Sequence, residues 1–261
     1  MNVLPKTYLI GSTSVDLNNL TEYLTDTNQL EFLESWKQAK EEGLSDTECL
    51  ISFYAKLCYK SLVLGQNKNV TKIRDIADNI QSIINTGHGS VLEHVYLNFV
   101  ITNCSRIFTH ELVRHRVGTS FSQTSGRYVS IDKLDLVIDP ILSPVATELN
   151  ELQLNLEQRL QQLRKKLIDD TNIIDFTTKK KITSAIRRLA PNGQSNEIGF
   201  GCNIRAVRHL IQLRTSRHAE WEIRLIFNQI ANIVQQKWPL LLYGGKVEVV
   251  DDMNEWTNLS I

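Results

Sequence analysis

The densest run of reactive side chains is Arg114-His115-Arg116-Val117-Gly118-Thr119-Ser120-Phe121-Ser122-Gln123-Thr124-Ser125-Gly126-Arg127-Tyr128. Two guanidiniums and an imidazole close a helical stretch, and a hydroxyl-rich segment with two glycines follows. Cations, O–H donors and free backbone N–H groups therefore arrive together, a combination that cradles phosphate or a carbonyl-rich ring. Arginine is unevenly spread. Of 14, four stand at Arg106, Arg114, Arg116 and Arg127, and seven at Arg187, Arg188, Arg205, Arg208, Arg214, Arg217 and Arg224. All six histidines (His88, His94, His110, His115, His209, His218) lie within or just before these stretches. Guanidinium grips phosphate bidentately and stays charged while doing so. The plainer alternative is a set of solvated helix faces. Compensating acids such as Glu41, Glu42, Asp135, Asp139, Asp169, Asp170, Asp251 and Asp252 sit elsewhere, and that separation favours an anion site assembled from distant parts of the chain.

Other chemistries have weaker support. Cys49, Cys58, Cys104 and Cys202 form no C-x-x-C pair, the usage of a reduced intracellular protein in which thiols pack. His88, Glu93 and His94 do not share a helix face as in H-E-x-x-H, so no metal is expected. Lys plus Arg and Asp plus Glu each total 29, so no long-range field draws the chain to nucleic acid or membrane. Neither a basic leader with an apolar stretch nor a run of about 18 apolar residues is present, and a cytoplasmic protein is expected.

The elements that must position these groups follow from periodicity. Residues 17 to 61 read as helical with a break at Gly43, and Thr71 to Ile84 as a short helix. Val95 to Ile101 is aromatic and β-branched, hence a strand, and a helix from about Arg106 to Arg114 follows. Gly118 to Gly126 reads as a loop, and Tyr128 to Val137 as a second strand. Ser143 to Asp169 is an amphipathic helix, facing the core or another subunit. Asn203 to Lys237 forms one long helix, or two broken near Thr215-Ser216, and Val247 to Val250 adds a final strand. With no repeat or linker, residues 1–261 read as one α+β domain, with a helical N-terminal segment over residues 1–85 and a motif-bearing core over residues 86–250.

The dense segment resembles the signature of the flavin-dependent thymidylate synthases (the ThyX family), R-H-R, usually seven residues, then S-x-R-Y; here eight residues precede Ser125-Gly126-Arg127-Tyr128. His88-Gly89-Ser90-Val91-Leu92-Glu93-His94 is similar to that family's H-x-[ST]-x-[FL]-E-H element. Arg187-Arg188-Leu189-Ala190-Pro191 resembles its arginine-to-proline element. Asn203-Ile204-Arg205, Leu213-Arg214 and His218-Ala219-Glu220-Trp221-Glu222-Ile223 resemble its N-x-R, L-R and H-A-[QDE]-x-E-I helix.

The resemblance implies a central, mainly antiparallel sheet packed by long helices, and a homotetramer with sites built from several subunits. It implies FAD contacts from Ser90, Glu93, Arg114, His115, Arg116, Asn203, Arg205 and His209. It implies dUMP contacts from Gln123, Ser125, Gly126, Arg127, Arg187 and Arg214, with Arg214 also catalytic. NADPH and 5,10-methylenetetrahydrofolate are the implied co-substrates. Arg214 would stabilise charge developing on the uracil ring, so no protein nucleophile is needed. A nucleophilic Ser125 lacks a neighbouring base, which leaves it as a dUMP ligand. Three departures stand out: the longer loop Val117 to Thr124, Ala190 where Leu is usual, and Glu220 where Gln is common. The loop leaves open a related C5 methyl- or hydroxymethyltransferase acting on another uridine nucleotide such as UMP. A noncatalytic nucleic-acid-binding module is the reading from another class, opposed by the neutral charge.

Overall fold

The computed structural model describes residues 2–128 and 133–260. Its first strand, β1 (Lys6–Ser12), is followed by three helices, α1 (Leu17–Asp26), α2 (Phe32–Glu41) and α3 (Asp46–Cys58). Ser45 starts α3 with a capping box, its hydroxyl accepting from the Glu48 N–H while the Glu48 carboxylate accepts from the Ser45 N–H. Helix α4 (Ile76–Asn85) begins later than periodicity indicates because Asp75 caps it. A turn of 3-10 helix (Gly89–His94) leads into β2 (Tyr96–Ser105), then α5 (Arg106–Leu112) and β3 (Thr119–Gln123).

The second half runs through α6 (Ala146–Arg164), α7 (Phe176–Ile186), β4 (Ser195–Asn203), α8 (Ile204–Arg214) and α9 (Trp221–Lys237). The chain closes with β5 (Lys246–Val250) and β6 (Met253–Thr257). Four strands form one antiparallel sheet in the order β1-β2-β4-β3, and β5 and β6 pair only with each other. Leu97, Phe99 and Ile101 on β2 and Ile198, Phe200 and Cys202 on β4 alternate into the core, as a period of two requires. Phe200 stacks against Phe99 and Phe121 at 6.2 and 5.7 Å and meets Phe227 of α9 edge-on at 6.3 Å.

Several expectations need correcting. Residues 119–123 lie inside the segment read as a loop, yet they form β3. Phe121 pairs with Phe200 there, and the half-buried, exposed alternation of this edge strand outweighs its serine-rich composition. The strand expected over Tyr128 to Val137 falls partly outside the described residues; the rest of it carries isolated bridges at Leu136 alone, to Asn2 and to Gln194. Sequence periodicity did not reveal β1, β4 or α7. The long helix breaks at Thr215, whose hydroxyl accepts from the Trp256 N–H of the closing hairpin.

The hairpin and the segments flanking it also use three arginines counted above as anion-site candidates. Arg208, 1% exposed, donates to the carbonyls of Leu241, Tyr243 and Leu259. Arg217 grips Glu255 and Glu248, and Arg224 donates to the Val250 carbonyl and pairs with Asp251. These guanidiniums fasten the C-terminal segment to α8, α9 and the turn between them.

Candidate active site

Two short connections place the charged groups. Strand β2 passes straight into α5, whose first turn is capped by Ser105, the hydroxyl accepting from the Phe108 N–H at 3.1 Å. Glu222 of α9 holds this corner from below: its carboxylate accepts from the Ser105 N–H at 2.6 Å and from the Ser105 hydroxyl. Helix α5 then presents Arg106, His110 and Arg114 at intervals of four, one side of a helix and its continuation. Strand β4 ends at Asn203, which caps α8 by accepting from the Ala206 N–H at 2.8 Å. Arg205 and His209 follow on one face of α8, and Arg214 closes the helix.

These connections enclose a cavity of about 500 Å3 walled by Glu93, Arg114, His115, Arg116, Asn203, Arg205 and His209, among others. Ser90, on the same turn as Glu93, is not among its walls. Arg205 reaches Glu93 at 2.6 Å. Gly118 has φ +69°, and a Cβ there would lie 2.5 Å from the Asn203 amide nitrogen. Gly118→Ala is therefore expected to destabilise the fold by about 1–2 kcal/mol and to displace Asn203 from the cavity wall, seen as a lower thermal midpoint and weaker ligand retention. An unchanged midpoint would count against the cradle.

A second, more open trough of about 960 Å3 shares Arg114 with the first cavity and is walled by Arg106, His110, Glu111, Arg214, His218 and Glu220. Arg214 lines this trough and touches the first cavity through His115, one of that cavity's walls. Its Nε donates to His115 Nε2 at 2.8 Å and its Nη1 to Glu111 at 3.2 Å. Burial, then the Arg214 and His209 charges, push the His115 imidazole down to about 4. It is neutral at physiological pH and can accept from Arg214. A His pKa depressed on folding means that the unfolded chain takes up the proton first. Stability attributable to His115 is thus present above pH 6.5 and is lost as pH falls toward 4. Denaturant midpoints recorded across that range should show the loss, and His115→Asn should flatten it.

The expected dUMP ligands divide. Gly126 lies against Arg187 and Arg106, where an added Cβ would approach each side chain to 3.4 Å. Burial, then the Arg187 charge, lower the Arg106 pKa, and among the described residues no carboxylate pairs with either arginine. Gln123 Nε2 donates to Thr109 on α5 at 3.1 Å. The Ser125 hydroxyl accepts from the Arg127 N–H at 3.3 Å. Within one chain, Gln123, Ser125, Gly126, Arg127 and Arg187 are not among the walls of Arg214's trough. In sequence Arg106 counts in the arginine cluster without a role of its own, and Glu111 is not singled out; the four-residue spacing of Arg106, His110 and Arg114 is a signal that could have pointed to this helix face.

The family described as thymidylate synthase complementing protein matches residues 42–240, which include every segment that builds these cavities. The chain belongs to the flavin-dependent thymidylate synthase family. Among its relatives, the flavin-dependent thymidylate synthase of Corynebacterium diphtheriae is 32% identical over 224 residues, 83% of this chain and 85% of that one. The enzyme of the same name from Mycobacterium tuberculosis strain H37Rv is 36% identical over 182 residues, 67% of this chain and 70% of that one. The solved structure of a UMP/dUMP methylase from Streptomyces cacaoi, bound with 5-Br dUMP, shares the fold with a TM-score of 0.60 at 15% identity, covering 91% of this chain and 92% of that one. The donor set of the first cavity suits the family's cofactor: three guanidiniums, an asparagine amide and a glycine-permitted close approach of backbone fit a pyrophosphate-bearing molecule.

Proposed function

We propose that this chain catalyses the reductive methylation of dUMP to dTMP, with FAD as cofactor, methylenetetrahydrofolate as carbon donor and NADPH as reductant. The observation that carries the reading is Arg214 in the second trough, held by Glu111 and by neutral His115, a wall of the adjoining cavity. Arg114, Arg116 and Arg205 hold the FAD pyrophosphate, with Ser90, Glu93, Asn203 and His209 orienting the remainder. When bound, FAD supplies the hydride and one-carbon chemistry that no side chain provides. Arg214 faces the pyrimidine ring and stabilises negative charge as C5 becomes nucleophilic. Arg187 and Arg127 anchor the phosphate beside Gly126, with Gln123 and Ser125 as hydrogen-bond ligands.

A homotetramer completes the site, because Arg127 and Arg214 must meet across copies. The exposed apolar side chains Leu152 and Leu154 on α6, Ile174 before α7 and Phe176 on it support such contacts. Residues 1–261 act as one cytoplasmic catalytic domain. The test is the visible spectrum of the purified protein, followed by tritium release from C5-labelled dUMP and UMP. Flavin absorbance with release from dUMP is the expected result; release from UMP alone shifts the substrate, as the longer loop allows, and a colourless protein with no release overturns the reading.

A further inference from the structure

A separate cavity of about 500 Å3 adjoins the same 88–94 turn: His88 at its start lines this cavity, whereas Glu93 near its end lines the first. The C-terminal end of α3, the irregular segment 61–74 and one face of α4 form the other walls. Their charges are unbalanced. Lys56, Lys72 and Arg74 face one lining carboxylate, Asp78, with Asp75 behind Lys56. Lys56 is only 2% exposed; its Nζ donates to the Arg74 carbonyl at 2.6 Å and lies 5.4 Å from the centre of the Phe32 ring. An ammonium kept out of water with one carbonyl acceptor is a group to which an anion adds strongly. Arg74 is steadied by donating to the Ser82 hydroxyl at 2.8 Å, and the Tyr59 hydroxyl lies 2.9 Å from His88 Nδ1. Ser61, Asn69 and Thr71 add neutral polar groups.

The volume falls within the range of small-molecule sites and exceeds what a lone phosphate fills. We infer that this cavity binds the anionic tail of a co-substrate, phosphate or carboxylate, whose remainder reaches the turn at His88. The inference rests on the function proposed above, which supplies two molecules with such tails. One is the reduced dinucleotide with its additional ribose phosphate, and the other is the folate with its glutamyl carboxylates. Lys72 and Arg74 are exposed, so alanine at both removes charge without disturbing the core.

Calorimetric titration of the FAD-saturated protein, its flavin pocket already filled, tests the site. The probes are 2′,5′-ADP, 5′-AMP and a triglutamate peptide, applied to the native chain and to Lys72→Ala/Arg74→Ala. Loss of about tenfold or more in affinity for 2′,5′-ADP, with 5′-AMP less affected, identifies the dinucleotide as the source. A loss of that size for triglutamate identifies the folate tail. Affinities for both probes unchanged to within about threefold, or no binding of either by the native chain, overturn the inference. Flavin absorbance separates the two failures: a variant that keeps its flavin but not its probe affinity supports both readings, whereas a native chain that takes up no flavin sinks only the function.

Discussion

Arg214→Ala is expected to lower kcat for dUMP by about 10^2–10^3-fold, the loss typical of removing one preorganised donor from a developing charge. The guanidinium is fixed before substrate arrives, with His115 taking Nε and Glu111 taking Nη1. Little reorganisation is then required as charge appears on the ring. Both partners matter to the direction of the effect. A protonated His115 would repel Arg214, and burial together with Arg214 itself keeps the imidazole neutral. Arg214→Lys retains the charge but cannot reproduce the two-pronged geometry, so a loss of at least tenfold is expected there too. Binding of dUMP should weaken less than kcat falls, because the interaction strengthens in the transition state. Tritium release from C5 and equilibrium dUMP binding measure the two quantities; an alanine variant within about tenfold of native kcat would falsify the assignment.

The second large effect concerns stability. Glu222→Ala removes two hydrogen bonds to Ser105 and leaves its buried N–H without a partner, for an expected loss of about 3 kcal/mol in denaturant unfolding. Because Ser105 caps the helix that bears Arg106 and Glu111, turnover should fall with it. The pH dependence distinguishes a specific role from general damage. Burial, the largest influence, pushes the Glu222 carboxyl up to about 7 from an ordinary value of 4.5. The folded state therefore binds the proton more tightly than the unfolded chain. The stability this provides is fully present below pH 4.5 and is lost as pH rises through 7. Glu222→Gln accepts from the Ser105 N–H without ionising, so it should abolish that slope while remaining folded. Parallel slopes for the native and Gln chains between pH 4.5 and 8 would refute the argument.

The expectation that the cysteines pack holds for Cys49, Cys104 and Cys202, which are buried, and not for Cys58, which is exposed. Burial pushes the Cys49 and Cys104 thiols up to about 12, which keeps them protonated.

Composition and motif spacing alone singled out the R-H-R, N-x-R and L-R segments, far apart in sequence, as candidates for one anion site, and the fold brings the first two to one cavity. Those residue types state their chemistry locally, and hydrophobic periodicity located most of the helices and β2, since each buries a stripe or face of its own. Only the tertiary structure showed which of the clustered arginines fasten the C-terminal segment instead of lining a cavity. Arg208, Arg217 and Arg224 look the same in composition as Arg205 and Arg214, yet they meet backbone carbonyls and acids of the C-terminal segment up to about 50 residues away. Strand β3 likewise became visible only through β4, because an edge strand of Ser and Thr gains its stability from cross-strand pairing and one stacked ring. The neutral state of His115 was equally illegible: it depends on desolvation and on Arg214, 99 residues along the chain, whose arrival is a property of the fold.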